Sequence, residues 1–219
     1  FIGPLLAIGL MWLFADDFAS VFWVAVVPAF AALALILLVV HEPARPAGLR
    51  TVKNPLSRRE LAGLGTVYWW VVGVAAVFTL ARFSEAFLIL RAEGMGLSLM
   101  FVPLVLVALN IAYALSAYPV GALSDGVSRI AILIVGLILL IVADLTLAFA
   151  PGLWGILAGV VLWGLHMGFT QGILAALVAD SAPPELRGTA FGMFNLVTGV
   201  ALLAASVIFF MFGMTFVAS

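Results

Sequence analysis

Apolar residues run through the chain in long blocks, and polar residues collect in short gaps between them. Seven blocks stand out, at 1–14, 18–40, 65–90, 97–120, 130–149, 153–179 and 188–218. A helix needs about 20 apolar residues to cross about 30 Å of hydrocarbon. The first block reaches only about 21 Å as a helix and reads as truncated. The last is long enough to tilt or to overrun one interface. The runs AALALILLVV and ILIVGLILLIVA are apolar on every face, whereas barrel strands alternate apolar and polar positions. Helices satisfy their own backbone in lipid, so the pattern predicts an all-α, polytopic transmembrane helix bundle.

Composition points the same way. Of 219 residues, 66% are hydrophobic and 9% charged, against roughly a quarter charged in soluble domains. A soluble fold could not cover so much apolar surface, so lipid is the expected solvent and the bilayer the first partner. The net charge of −1 says nothing about nucleic acid, but no basic patch or aromatic–basic interleaving suggests it, and no nucleic-acid partner is expected. There is no cysteine, hence no disulfide and no thiolate metal site. His41 and His166 are too few for a metal site, and no cofactor is expected. The chain starts at Phe1 inside an apolar run, with no charged segment before it. It reads as a fragment cut at its start and at its end, not as a signal peptide.

The gap 41–64 is long. It holds Arg45, Arg50, Lys53, Arg58 and Arg59, five of the nine Lys and Arg residues, with Pro43, Pro46 and Pro55. Positive loops stay cytoplasmic, which sets a multi-pass orientation in the cell (inner) membrane. The turns 121–129 and 180–187, with Arg129 and Arg187, then fall on the inside. The turns at Asp16-Asp17, 92–96 and 150–152 fall on the outside.

Within the 121–129 turn, Asp125 and Arg129 stand four apart. Gly121 permits a close helix approach or a sharp bend. An acid near a helix N-terminus meets the positive end of the helix dipole. Arg129 can pair with Asp125 or reach a lipid phosphate. A plain hydrophilic turn that holds orientation is the alternative. The nine residues GALSDGVSR resemble the Gly-x-Leu-x-Asp-basic-x-Gly-Arg signature of the major facilitator superfamily. Gly121, Leu123, Asp125 and Arg129 match; Gly126 stands where a basic residue is usual and Ser128 where glycine is. VFWVAVVPAF to VVHEP resembles that family's sixth helix and its exit, and APPELRGTAFGMFN the turn between its tenth and eleventh helices. The resemblance implies a fragment from the fifth to the eleventh helix. Residues 1–40 become the end of the N-terminal half, 41–64 the central cytoplasmic loop, and 65–219 a C-terminal bundle of five spans. It further implies secondary transport of a small solute by alternating access, coupled to protons or another gradient. Gly121, Asp125 and Arg129 become a gating turn.

Ionisable groups inside hydrocarbon cost at least ~2.5–3.5 kcal/mol each, so they are functional candidates. Arg82 and Glu85, at i and i+3, share a helix face. Counted from residue 65, Arg82 lies about 26 Å along its helix, in the outer third. The pair either presents charge to a cavity or forms a local salt bridge with a snorkelling arginine. His166 lies about 20 Å from the outer end of its helix, with Trp163 and Thr170 on its side. It is either a substrate or proton site or a neutral histidine bonded to a backbone carbonyl. Gln171 sits about 140° further round. Asn110, with Tyr113 on its face, reads first as interhelical glue. Arg82, Glu85, Asn110, His166 and Gln171 make up the candidate substrate or proton pathway. Asp144 reads as a water-facing helix end. Glycines 155, 159, 164, 168 and 172 give small-xxx-small steps that favour tight packing.

A seven-helix receptor or sensor without retinal is the competing reading. The last block has no lysine for a Schiff base; Lys53, in the loop, is the single lysine. Neither His-Glu-x-x-His nor a Gly-x-Ser-x-Gly turn nor a Walker glycine loop occurs, so an enzyme is not expected.

Overall fold

The computed structural model describes residues 2–14, 17–41, 57–82, 85–94, 96–97, 103–149 and 152–217. Asp16 and most of the basic loop lie outside the described residues. Nine helices are present among them. They are α1 (Ile2–Leu13), α2 (Phe18–Leu38), α3 (Arg58–Ala62), α4 (Gly65–Ala81), α5 (Ala86–Gly94), α6 (Pro103–Leu123), α7 (Arg129–Phe149), α8 (Leu153–Ser181) and α9 (Arg187–Val217). A 3₁₀ turn at Pro184–Leu186 joins the last two. Among the described residues, five helices are long and apolar enough to cross a membrane: α2, α6, α7, α8 and α9, the last with the 3₁₀ turn ahead of it.

Asp17 starts α2. Its carboxylate accepts from the Ser20 hydroxyl (2.5 Å) and the Ala19 amide (3.0 Å). The Ser20 bond first, and the Ala19 amide with it, hold this carboxyl below its ordinary range, so the charged cap persists into more acidic solution. Helix α2 leaves almost its whole surface uncovered, including Phe22, Trp23, Val27, Phe30 and Leu35–Leu38. Such a surface is stable against acyl chains and not against water.

Helix α8 is the hub. It packs on α6, α7, α4, α5 and α9, and its buried positions Ile156, Val160, Trp163, His166, Met167, Thr170, Ile173 and Val178 form one broad face that the buried glycines 159, 164 and 168 widen. Glycines make this possible. A Cβ on Gly159 would lie 2.6 Å from Leu147 Cγ on α7. One on Gly164 would press on the Leu109 carbonyl of α6, and one on Gly168 on Ser116. On the other side, Gly136 of α7 meets Thr170, whose Cγ2 would be 2.5 Å from an added Cβ. The small-xxx-small expectation therefore holds at 159, 164 and 168. Gly172 has open space beside it.

Helix α4 closes the bundle against α8 and α9. Tyr68 is fully buried and donates its hydroxyl to the Ala190 carbonyl of α9 (2.8 Å). Tyr68→Phe leaves that carbonyl without its partner and should cost about 1 kcal/mol. Thermal unfolding in detergent should show a small drop in midpoint with the helix content unchanged.

The run 65–90 does not form one continuous span. Helix α4 ends at Ala81, Arg82 is extended (φ −102, ψ 114), and α5 restarts at Ala86. A break in hydrocarbon frees backbone polar groups. It is tolerated where protein or a water-filled cavity surrounds it.

Candidate functional site

A cavity of about 320 Å³ opens beside this break. Its walls are Phe78, Thr79 and Arg82 from α4, His166, Thr170, Gln171 and Leu174 from α8, and Phe194 and Thr198 from α9. Three of the expected pathway residues, Arg82, His166 and Gln171, meet here. Gln171 shares the cavity with His166 in spite of its angular offset, because α4 and α9 both flank α8 and the cavity wraps between them.

The Arg82 guanidinium lies over the Trp163 ring, 5.7 Å from its centroid. Trp163 is ten residues into α8, about 15 Å from that helix's start, near the middle of a ~30 Å core. The side chain thus reaches inward, and the snorkelling expectation is corrected. The local salt bridge is also absent: Glu85 acts on Arg82 through its charge but makes no ion pair with it. Arg82 has neither an ion pair nor a hydrogen bond among the described residues.

His166 is 2% exposed. Its Nδ1 lies 2.7 Å from the Gly136 carbonyl on α7. A carbonyl only accepts, so Nδ1 carries the hydrogen and Nε2 is left as the atom that can gain a proton. Phe78 stacks on the ring with 9° between planes and 6.5 Å between centroids. The two readings of this histidine are compatible. It is bonded to a carbonyl, and it lines the cavity.

Asn110 and Glu85 are not in the cavity wall. The Asn110 amide donates to Leu106 of its own helix (2.7 Å), and no bond from it to another helix is seen among the described residues. One Asp144 carboxylate oxygen is buried with no hydrogen-bond partner among the described residues, while the half-buried residue lines a wider cavity of about 970 Å³ between α4, α5, α7 and α9. Thr79 and Thr198 in the cavity wall escaped the sequence reading. Thr79 stands three residues before Arg82, on its face, which was a usable signal. Thr198 sits in a long apolar run and gave none.

At the other end of the bundle, α6 runs to Leu123 and α7 starts at Arg129. Gly121 is helical, has open space beside it and makes no close approach. The Asp125 side chain is exposed and has no partner among the described residues. Arg129 does not pair with Asp125. It forms an ion pair and hydrogen bond with Asp180, near the end of α8. Each of these two charges opposes its own helix dipole. A cation opens α7 and an anion closes α8, where the reverse signs are favoured. Because α7 and α8 are antiparallel neighbours, the contact lets each charge offset the other.

A bundle of membrane-length apolar helices, with the shorter α4 ending beside a cavity that holds polar side chains, is the build of a multi-pass integral membrane protein. The chain matches the Major Facilitator Superfamily over residues 1–217 and belongs to that family, whose members move small solutes across the bilayer and are not enzymes. It is 33% identical to an "uncharacterized MFS-type transporter" of Methanocaldococcus jannaschii, over 62% of this chain and 35% of that protein. An uncharacterized protein of Mycobacterium bovis is 28% identical over 91% of this chain and 49% of its own length. A D-xylose transporter of Levilactobacillus brevis is 29% identical over 42% of this chain and 20% of its own. The chain spans at most about half the length of these relatives. No solved structure matches it. Family membership sets aside the receptor reading.

Proposed function

We propose that these residues supply part of a secondary carrier, and that the cavity between α4, α8 and α9 lines its solute path. The observation that carries this reading is an arginine with no ion-pair partner among the described residues, held over the Trp163 ring beside a broken helix and a buried histidine. Broken helices and intramembrane charges mark binding sites in such carriers. In this reading α1 and α2 end one half of the protein, 41–64 is the central cytoplasmic loop, and 65–219 belong to the second half. Two halves rocking around the cavity give alternating access. The basic loop sets the orientation, with the Arg129–Asp180 end of the bundle in the cytoplasm. That ion pair holds α7 to α8 when the cytoplasmic side is shut. A proton or ion gradient supplies the drive, and His166 Nε2 and Glu85 are the candidate proton carriers.

Purified protein of full natural length, in liposomes with an imposed proton gradient and no ATP, should accumulate solute above its equilibrium level. Uptake that ionophores leave unchanged, or that needs ATP, contradicts gradient coupling.

A further inference from the structure

The cavity wall has an uneven chemistry. All three threonines spend their hydroxyl hydrogens on their own helices: Thr79 on Ala75, Thr170 on His166 and Thr198 on Phe194, each at 2.8 Å. They offer the cavity only lone pairs. His166 Nδ1 is likewise committed to Gly136. Donor capacity is therefore concentrated on the Arg82 guanidinium, with its five N–H groups and no acceptor, and on the Gln171 amide. Arg82 has a ring face below it and no hydrogen-bond acceptor among the described residues. A cation taken out of water is costly unless an anion or acceptors meet it. Phe78, Leu174 and Phe194 make the rest of the wall apolar.

We propose that this cavity binds a small organic monoanion, a carboxylate with an apolar or aromatic body, through Arg82. This deepens the carrier reading and rests on it. The carboxylate takes the guanidinium in a planar, two-bond contact. The apolar body lies against Phe78, Leu174 and Phe194. A hydroxyl or amine hydrogen elsewhere on the solute is received by the threonine oxygens. A second anionic group finds no second cation, only the neutral Gln171 amide, the threonine lone pairs and the nearby Glu85 charge, so dianions are disfavoured. A volume of about 320 Å³ fits a solute of this size and sits at the low end of ligand pockets, about 300–1,000 Å³.

The test uses the full-length protein in discs of zwitterionic lipid, with calorimetric titration of phenylacetate, its neutral isostere phenylacetamide, the dianion terephthalate, and D-xylose. Phenylacetate is expected to bind about tenfold or more tighter than the other three, as a charge-assisted contact requires. Arg82→Gln should abolish the preference for carboxylate over amide, and Arg82→Lys should keep part of it. A merely structural arginine would alter both affinities together and leave their ratio unchanged. Equal binding of phenylacetamide or D-xylose, no binding of phenylacetate, or a carboxylate preference that survives Arg82→Gln overturns the inference. Loss of phenylacetate binding in discs made with phosphatidylglycerol would assign the anion site to a lipid headgroup and overturn it as a solute site. Flux in liposomes separates the two claims. Carboxylate-selective binding without flux sinks the carrier reading alone, and D-xylose flux without carboxylate preference sinks the anion site alone.

Discussion

Replacing Gly164 with alanine is expected to prevent α8 from seating on α6. The new Cβ would fall against the Leu109 carbonyl oxygen and 2.9 Å from Ala112 Cβ. Backbone cannot rotate away as the tip of a long side chain can. Gly168→Ala meets Ser116, and the Ala117 backbone nitrogen at 3.1 Å. The Ser116 hydroxyl is already tied to the Ala112 carbonyl (2.7 Å), which limits its escape. Overpacking costs typically about 1–3 kcal/mol, and these sites should reach or exceed the top of that range because α8 packs on five other helices. Gly172→Ala is the internal control, since nothing lies within 4 Å of its added Cβ. Detergent-solubilised Gly164→Ala should aggregate or melt many degrees lower, while Gly172→Ala should behave as the parent. Equal melting of all three would show that the α6–α8 seam is not close-packed.

Reversing Asp180 in the protein of full natural length should slow transport sharply with little effect on stability. The Asp180 side chain is 60% exposed and that of Arg129 31% exposed, so the pair adds only roughly 0–1 kcal/mol to the fold. Asp180→Arg sets two guanidiniums at one helix junction and drives α7 and α8 apart at that end. Flux in liposomes should fall about tenfold or more, as expected if closing this end must overcome ~1.4 kcal/mol of added repulsion. The double exchange, Arg129→Asp with Asp180→Arg, restores the contact and places each charge at the favoured end of its helix. It should recover most of the flux. Equal loss in the single and double variants would remove the pair from the transport cycle.

Several features were legible in the sequence because hydrocarbon imposes simple constraints. The apolar runs at 18–40, 130–149, 153–179 and 188–218 became helices whose ends fall within about two residues of those bounds. The family resemblance carried by Gly121, Leu123, Asp125 and Arg129 agrees with the family match. The break at Arg82 was not legible. Thr-Leu-Ala-Arg contains no proline or glycine, and the ring that receives the guanidinium is some 80 residues away in sequence. The partner of Arg129 was missed for a related reason. Asp125 was four residues off, whereas Asp180 came close only through the antiparallel packing of α7 on α8. It did lie at the same end of the bundle, and that was the available clue. The Asn110–Leu106 bond and the buried oxygen of Asp144 were not legible because a residue's depth in the membrane says nothing about which neighbour its side chain meets.

The account stands on one claim: the cavity between α4, α8 and α9 opens to one side of the membrane at a time. These residues contain no cysteine, so Thr198→Cys introduces a single thiol into the cavity wall. Membrane-impermeant maleimide, applied to right-side-out and inverted vesicles, then reads its exposure to each face. The account predicts labelling from one face at rest, with that rate falling and the opposite rate rising when the transported solute is added. A thiol closed to both faces under every condition, or open to both at once with no exchange between them, would contradict it.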